Sequence, residues 1–200
     1  MVFNFYDWDN TLVFTNKALY FAYLEALKPY GFDFSYDYFM KAIYNDSTAF
    51  LKAKGMEDAL IAKVKGIKNK LMTKHSFFDL IRENEHIMVN TFQKNAIVTN
   101  TSAELVRKIL SMKNPTKLER MEFVIGSDTV KSRKPYPNLY IEAFKRIADE
   151  FNYEEDELHI WEDSLEGIEA AVRFLRELKG GYNGFNEIKN FRIHHVYDHE

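Results

Sequence analysis

The sequence predicts an α/β fold in which a Rossmann-like parallel sheet core has helices on both faces and carries an inserted α-helical cap. Three observations support this. Short apolar runs end in polar residues, amphipathic helical patterns separate most of them, and one long stretch has helical patterns with almost no strand signal. Strands that alternate with amphipathic helices indicate parallel βαβ units. We therefore expect a core of residues 1–14 and 87–200 and a helical cap of residues 15–86.

The first strand is predicted at Phe3-Asn4-Phe5-Tyr6, a short aromatic run of the kind that lies buried in a parallel sheet. Two aspartates, Asp7 and Asp9, follow it one residue apart. An open parallel sheet presents its ligand crevice at the carboxyl ends of its strands. Two acidic groups there are costly unless a cation or a reaction uses them. The pair is therefore a candidate catalytic site.

The stretch 15–86 interrupts the alternation of strands and helices. Its first apolar helical face begins at Ala18 and ends before Pro29-Tyr30-Gly31. The further helices predicted in this stretch lie at about 35–46, 57–73 and 76–84. A helical unit inserted after the first strand is the simplest account of this pattern.

The second half of the chain returns to alternating strands and helices. The later strands are predicted at 96–98, 123–125, 158–161 and 191–197. Thr101 and Glu104 match a T-x-x-E capping box at the start of the helix after the second strand. The last helix opens at Glu162-Asp163-Ser164. The large aliphatic residues at helical spacing in it are Leu165, Ile168, Val172 and Leu175.

Composition excludes several classes of function. The 200 residues include 17 Phe and 12 Tyr, which suits a substantial buried core, and the net charge is −3. That charge argues against wholesale binding to nucleic acid or to a membrane surface. The absence of cysteine excludes disulfides, thiolate catalysis and thiolate zinc sites. Because there is no signal-peptide pattern and no membrane-spanning run, we expect a soluble cytoplasmic protein.

Polar clusters follow four of the predicted strands or their loops. These clusters are Asp7 with Asp9, Thr99 with Asn100, Lys134, and Glu162 with Asp163. The carboxyl ends of parallel strands converge on one edge of a sheet, so residues distant in sequence can meet in one crevice. This set of side chains suits phosphoryl transfer to a carboxylate.

Each step of such a transfer has a candidate residue. A nucleophilic aspartate that attacks a phosphate dianion needs a cation to offset their repulsion. Mg²⁺ prefers carboxylate and carbonyl oxygens, which Asp7, Asp163 and the backbone of Asp9 can supply. A hydroxyl and a lysine can hold the remaining phosphate oxygens. A second aspartate can protonate the leaving alkoxide and later activate water. We therefore expect Mg²⁺ as the cofactor.

The order of these motifs resembles that of the haloacid dehalogenase-like superfamily. The matching residues are Asp7-Trp8-Asp9-Asn10-Thr11, Thr99, Lys134-Pro135 and Glu162-Asp163. Two longer stretches are similar to the branch that contains β-phosphoglucomutase and phosphoglycolate-phosphatase-like enzymes. They are Lys134-Pro135-Tyr136-Pro137-Asn138-Leu139-Tyr140 and Glu162-Asp163-Ser164-Leu165-Glu166-Gly167-Ile168-Glu169-Ala170-Ala171.

The resemblance implies a role for each matching position. Asp7 would be the nucleophile that forms an aspartyl-phosphate, and Asp9 the general acid and base. Thr99, Asn100 and Lys134 would bind the transferring phosphoryl group. The residues implied at the Mg²⁺ ion are Asp7, Asp9, Glu162 and Asp163, with Glu162 either a ligand or a neighbour of one. An aspartate at position 9 favours phosphate chemistry over dehalogenation, because a departing halide needs no proton donor.

The implied function is a Mg²⁺-dependent phosphatase that acts on a small-molecule phosphomonoester, such as a nucleotide or a sugar phosphate. The helical insert would close over the site and select the substrate. One position departs from the branch, since Asn10 stands where glycine is more common. Asparagine tolerates the unusual backbone of a tight turn, so we expect the turn to form.

Three alternatives remain open at this stage. A sugar phosphomutase of the β-phosphoglucomutase type would use basic cap residues to grip a second phosphate, and Arg82 is the only arginine of the cap. A phospho-acceptor signalling module would carry a similar inventory, but with its acidic pair and acceptor aspartate on different strands. An inactive scaffold would keep the fold and bind a partner without turnover.

Overall fold

The computed structural model describes residues 1–44, 46–180 and 187–197. Within these residues the chain divides into two compact units. Met1–Val13 and Asn84–Glu200 make the core unit, and Phe14–Glu83 makes the inserted unit. The predicted core segment 87–200 includes 181–186 and 198–200, which lie outside the described residues.

The secondary structure follows in chain order. The described strands are β1 (Val2–Tyr6), β2 (Val13–Phe14), β3 (Arg82–Glu83), β4 (Lys94–Val98), β5 (Phe123–Ile125), β6 (Glu157–Glu162) and β7 (Asn190–His195). The described helices are α1 (Asn16–Leu27), α2 (Tyr36–Ala42), α3 (Ser47–Ala53), α4 (Asp58–Met72), α5 (His75–Phe78), α6 (Ala103–Lys113), α7 (Pro115–Glu119), α8 (Asn138–Lys145) and α9 (Leu165–Lys179). A 3₁₀ turn covers Lys28–Tyr30. None of the described helices is long and apolar enough to cross a membrane.

The core unit is built on a parallel sheet. Its five described strands lie in the order β5-β4-β1-β6-β7. β1 is central, because Phe5 pairs with Ala96 of β4 on one side and with Ile160 of β6 on the other. Parallel neighbours need crossover connections, and α6, α8 and α9 lie in them. The predicted α/β fold with a Rossmann-like parallel sheet is confirmed.

Aromatic side chains fill the space between the sheet and helices α8 and α9. The ring of Tyr140 stacks on Phe5 with centroids 6.5 Å apart and lies 6.0 Å from the ring of Phe174. Phe144 packs 5.7 Å from Phe174 on the same cluster. Burying one such side chain stabilises the fold by about 2 kcal/mol. The ring of Tyr140 is therefore fixed by its neighbours on both sides.

The buried face of α9 is only partly the one that its large aliphatic residues indicate. The residues of α9 that are buried are Gly167, Ala170, Ala171, Phe174 and Leu178, whereas Leu165 is 79% exposed. Of the other large aliphatic residues at helical spacing, Leu175 is half-buried and packs against the core, and Ile168 and Val172 are also half-buried. A close approach decides the face, because the backbone of Gly167 lies against Glu162 at the end of β6. Small residues allow this approach, and bulky ones would prevent it.

The start of α6 also differs from the prediction. Ser102, not Thr101, is the N-cap, and its hydroxyl accepts a hydrogen bond from the amide of Leu105. Asp128, which is distant in sequence, accepts further bonds from the amides of Ala103 and Glu104. The predicted T-x-x-E capping box is therefore wrong, and the Thr101 hydroxyl is not used by the helix.

The inserted unit is helical, as the pattern predicts, but its helices are divided differently. The helix predicted at 35–46 ends at Ala42, and Asp46 caps a separate helix through the amide of Ala49. The helix predicted at 57–73 corresponds to α4, and the one at 76–84 is reduced to the single turn of α5. The buried core of this unit comprises Tyr23, Ala26, Leu27, Phe39, Ile43, Leu51, Ile61 and Val64.

Candidate active site

Asp7 lies at the carboxyl end of the central strand. Its amide donates to the carbonyl of Trp161, 2.9 Å away, so the pairing of β1 with β6 continues to the first acidic residue. The chain then turns sharply, and the amide of Asn10 donates to the carbonyl of Val13 at 2.6 Å. Asn10 has a φ of 56°, in the left-handed region. Asparagine is one of the few residues that adopt this conformation readily, so the expectation for position 10 is confirmed.

Lys134 connects the ends of three strands. Its side chain is only 2% exposed, and its ammonium donates to Asp7 Oδ1 at 2.7 Å, to the carbonyl of Val98 at 2.7 Å and to Glu162 Oε1. Burial alone would lower the pKa of the Lys134 ammonium. The Asp7 and Glu162 carboxylates outweigh burial and hold that pKa above its ordinary value. Lys134 therefore stays charged at the centre of the acidic cluster.

Asn100 holds the backbone that presents Lys134. Its Oδ1 accepts from the amide of Lys134 at 2.9 Å, and its Nδ2 donates to the carbonyl of the same residue at 3.3 Å. The peptide bond between Lys134 and Pro135 is cis. The predicted site residue Asn100 is thus brought to the cluster, where its side chain contacts the Lys134 backbone.

Glu162 is fully buried at the end of β6, on the same inward face as Leu158 and Ile160. Its Oε1 accepts from Lys134 and from the hydroxyl of Tyr140. Its Oε2 is buried and receives no hydrogen bond from any described residue. Burial raises the pKa of Glu162, and the charge of Lys134 opposes this rise.

Tyr140 belongs to the site although the sequence analysis assigned it no role. Besides its bond to Glu162, its ring lies 5.2 Å from the ammonium of Lys134, within reach of a cation–π interaction. Burial, followed by the charge of Glu162, raises the pKa of Tyr140 well above its ordinary value. The hydroxyl therefore stays protonated and acts as a donor. Its position six residues after Lys134 was the one available signal.

Asp163 completes the acidic cluster from the loop after β6. Its Oδ1 accepts from the hydroxyl of Thr11 at 3.3 Å. Burial, then repulsion from Asp7, Glu162 and Asp9, raises the pKa of Asp163. The next residue, Ser164, caps α9 by accepting from the amide of Gly167 at 3.0 Å.

The acidic cluster fits a divalent cation. Among the described residues, Asp7, Glu162 and Asp163 each place a carboxylate oxygen within 4.8 Å of the others. Oxygen-only ligands of this kind suit hard cations such as Mg²⁺. The orphaned Glu162 Oε2 and the raised carboxyl pKa values of Glu162 and Asp163 indicate negative charge that is incompletely balanced. The side chain of Asp9 is not part of this cluster.

Two threonines after β4 extend the site towards Asp9. Thr99 is buried, and its Oγ1 accepts from the amide of Thr101 at 3.1 Å. Thr101 Oγ1 donates to Asp9 Oδ2 at 2.5 Å. Sequence analysis missed Thr101 because its hydroxyl was assigned to the cap of α6. The structure thus brings all seven predicted site residues to the carboxyl ends of β1, β4 and β6 or to the loop that carries Lys134. It adds Thr101 and Tyr140 to the site.

A family model described as haloacid dehalogenase-like hydrolase matches residues 5–174. The chain belongs to this family. The match covers every candidate site residue, and the prediction of an enzyme of this family is confirmed. A search of curated protein sequences finds no match.

Solved structures similar to this haloacid dehalogenase-like hydrolase share its fold. A proposed phosphoglycolate phosphatase from Lactobacillus plantarum has a TM-score of 0.69 and 19% identity, over 85% of this chain and 81% of that one. CbbY from Rhodobacter sphaeroides, in complex with phosphate, has a TM-score of 0.69 and 19% identity over 86% and 82%. A proposed β-phosphoglucomutase from Thermotoga maritima has a TM-score of 0.61 and 21% identity over 86% and 81%. A variant of CbbY was crystallised with xylulose-(1,5)bisphosphate.

Proposed function

We propose that this haloacid dehalogenase-like hydrolase is a Mg²⁺-dependent phosphatase that hydrolyses a small phosphomonoester through an aspartyl-phosphate on Asp7. One observation carries the proposal. The buried ammonium of Lys134 joins the carboxylates of Asp7 and Glu162 at the ends of neighbouring strands. A purely structural ion pair would not need the further acid, Asp163, that lies beside them.

In the first half-reaction, a carboxylate oxygen of Asp7 attacks phosphorus, and the bond from phosphorus to the ester oxygen breaks. Asp9 gives its proton to the departing alkoxide. In the second, Asp9 takes a proton from water while the water oxygen attacks phosphorus. The bond between Asp7 and phosphorus then breaks, which releases phosphate and restores both carboxyl groups to their starting forms.

The phosphoryl group is held by the donors that surround Asp7. Lys134 supplies positive charge, and Thr99 can donate its hydroxyl proton, since its oxygen already accepts from Thr101. Asn100 keeps Lys134 in place through two bonds to its backbone. Donors fixed before the reaction stabilise the charge that spreads over the phosphoryl oxygens in the transition state.

The residues that would hold Mg²⁺ are Asp7, Asp163 and the backbone of Asp9, with Glu162 as a ligand or as a neighbour that keeps Lys134 in place. When bound, the ion offsets the repulsion between these carboxylates and the phosphate dianion. The raised pKa values of Glu162 and Asp163 indicate that the negative charge of this cluster is not fully offset in the protein alone.

We propose that the substrate is a nucleotide or a sugar phosphate. We also propose that the inserted unit is a cap that selects this substrate. CbbY, which shares the fold, was crystallised with phosphate, and a variant of CbbY was crystallised with a sugar bisphosphate, which favours the sugar phosphates. A closing cap would exclude water from the aspartyl-phosphate until the leaving group has departed.

The test is phosphate release from nucleotides, sugar phosphates, phosphoglycolate and a nitrophenyl phosphate, with Mg²⁺ or with chelator. Release that needs Mg²⁺ and is lost in Asp7→Asn supports the proposal. The matched control is Asp149→Asn, which removes an exposed carboxylate of the core unit. Isomerised ester without phosphate release would instead indicate a phosphomutase. Full activity of Asp7→Asn would exclude the assigned nucleophile.

A further inference from the structure

The hydroxyl of Thr101 donates to Asp9 Oδ2 across 2.5 Å, and this bond joins the loop after β4 to the turn after β1. A hydroxyl that donates to a carboxylate makes a short, strong hydrogen bond. Thr101 is not needed for the local structure of its own helix, because Ser102 takes the N-cap of α6. Its side chain is thus committed to Asp9.

The backbone of Thr101 is held on both sides. Its amide donates to Thr99 Oγ1 at 3.1 Å, and its carbonyl accepts from the amide of Ser127 at 3.1 Å. Gly126 permits this approach, because a Cβ at that position would lie 2.5 Å from the carbonyl oxygen of Thr101. Thr99 and the loop after β5 therefore fix the point from which the hydroxyl reaches Asp9.

We propose that Thr101 is a positioning residue for Asp9, which it orients for proton transfer to the leaving group and from water. This inference rests on the proposed function. Asp9 must present the same carboxyl group to an alkoxide in the first half-reaction and to water in the second. A donor fixed on Oδ2 limits rotation of the carboxyl group and favours Oδ1 as the oxygen that carries the transferred proton. General acid–base catalysis is sensitive to such placement.

Comparing substrates with two different leaving groups distinguishes positioning of Asp9 by Thr101 from a purely structural role of Thr101. An alkyl phosphate releases a strongly basic alkoxide that needs a proton, whereas a nitrophenyl phosphate releases a stable phenolate that does not. The second half-reaction is the same for both substrates, but the first, which kcat/KM reports, is not: there, misplacement of Asp9 slows the alkyl phosphate much more than the nitrophenyl phosphate. Damage to phosphate binding or to the fold slows both alike.

The decisive variant is Thr101→Val, which keeps the shape of the side chain and removes the hydroxyl. We expect kcat/KM for an alkyl phosphate to fall by about 10- to 30-fold and kcat/KM for a nitrophenyl phosphate by about threefold or less. Thr101→Ser keeps the hydroxyl and should restore most of the activity. Ser102→Ala is the control, because it removes the neighbouring hydroxyl, which caps α6, and should leave the ratio of the two substrates unchanged.

A double-mutant cycle tests whether Thr101 acts through Asp9. In the Asp9→Asn background, measured on the nitrophenyl substrate, adding Thr101→Val should cause no further loss. Equal losses of kcat/KM on both substrates, or an additional loss in the Asp9→Asn background, would each overturn the positioning role. Those results would leave the phosphatase intact. A wild-type protein that releases no phosphate from any ester would overturn the proposed function and this inference with it.

Discussion

Gly167 and Glu162 lie so close together that a Cβ atom on the glycine would stand 1.9 Å from Glu162 Oε2 and 2.1 Å from its Cδ. This contact explains why α9 buries small residues. It also links helix packing to chemistry, because the other oxygen of Glu162 accepts from Lys134 and Tyr140. The helix and the polar cluster therefore constrain the same carboxylate.

Replacing Gly167 by alanine should displace Glu162 or push α9 away from the sheet. Overpacking of this kind costs about 1–3 kcal/mol, and phosphatase activity should fall with it because Glu162 fixes Lys134. Urea unfolding and phosphate release measure the two effects. Gly66→Ala is the control: Gly66 lies exposed in α4 with nothing within 4 Å of a Cβ, so this change should stabilise the protein by about 0.5–1 kcal/mol. Equal behaviour of the two variants would contradict the assigned contact.

Lys134→Met should abolish phosphatase activity and lower the free energy of unfolding. The substitution keeps a long apolar stem but leaves Asp7 and Glu162 buried without their shared partner. Breaking a buried ion pair from one side costs about 3–5 kcal/mol. Lys131→Met, which removes an exposed lysine from the same loop, should change the free energy of unfolding by less than about 0.5 kcal/mol. Chemical denaturation of both variants provides the comparison, and a stable Lys134→Met would show that the buried charges are balanced in another way.

Tyr140→Phe should weaken the site while keeping the aromatic packing. The ring contacts with Phe5 and Phe174 remain, but Glu162 loses one donor. A hydrogen bond to a charged group is worth about 1.5–3 kcal/mol, so we expect a loss of about 2 kcal/mol in unfolding free energy and reduced turnover. The matched variant is Tyr136→Phe, in which the lost hydroxyl belongs to an exposed ring. An unchanged melting temperature in Tyr140→Phe would mean that the bond contributes nothing to stability.

Asp128 should make stability depend on pH in the acid range. Partial burial favours its neutral form, but bonds from the amides of Ala103 and Glu104 outweigh this and lower the pKa of Asp128 below its ordinary value of 3.8. A carboxyl group with a lowered folded pKa stabilises the protein above its unfolded pKa. That contribution disappears as the pH falls through the folded value.

The matching variant for this effect is Asp128→Asn. It should cost about 0.5–1 kcal/mol at neutral pH through the weakened cap of α6, and the difference from wild type should shrink below about pH 4. Urea unfolding at pH 6 and pH 3 measures both values. A difference that is the same at the two pH values would show that the charge of Asp128 does not matter.

The sequence was sufficient where a local pattern determines the structure. The aromatic run at residues 3–6 predicts strand β1. The turn at Asn10 is predicted because asparagine readily adopts the left-handed backbone conformation. The parallel sheet follows from alternation of strands and helices, and the family from the order of four motifs. In each case the residues that decide the outcome are close together in the chain or have a fixed order.

The sequence was insufficient where distant residues compete. Thr101 and Ser102 are both good caps for α6, and the outcome depends on Asp9 and Asp128, which lie on other loops. The buried face of α9 is set by contact of its backbone with Glu162, which size and spacing do not reveal. Tyr140 looks like an ordinary core aromatic until its hydroxyl is seen to meet Glu162.

The position of β1 in the sheet has a consequence for biosynthesis. Phe3 pairs with Lys94 on one side and with Leu158 on the other, so both partners of the strand that carries Asp7 are translated long after it. The strand leaves the ribosome with two open edges and remains unpaired while the whole inserted unit emerges. Exposed apolar strand edges are prone to wrong association. Strand β1 can therefore gain both of its partners only after β6 has been translated.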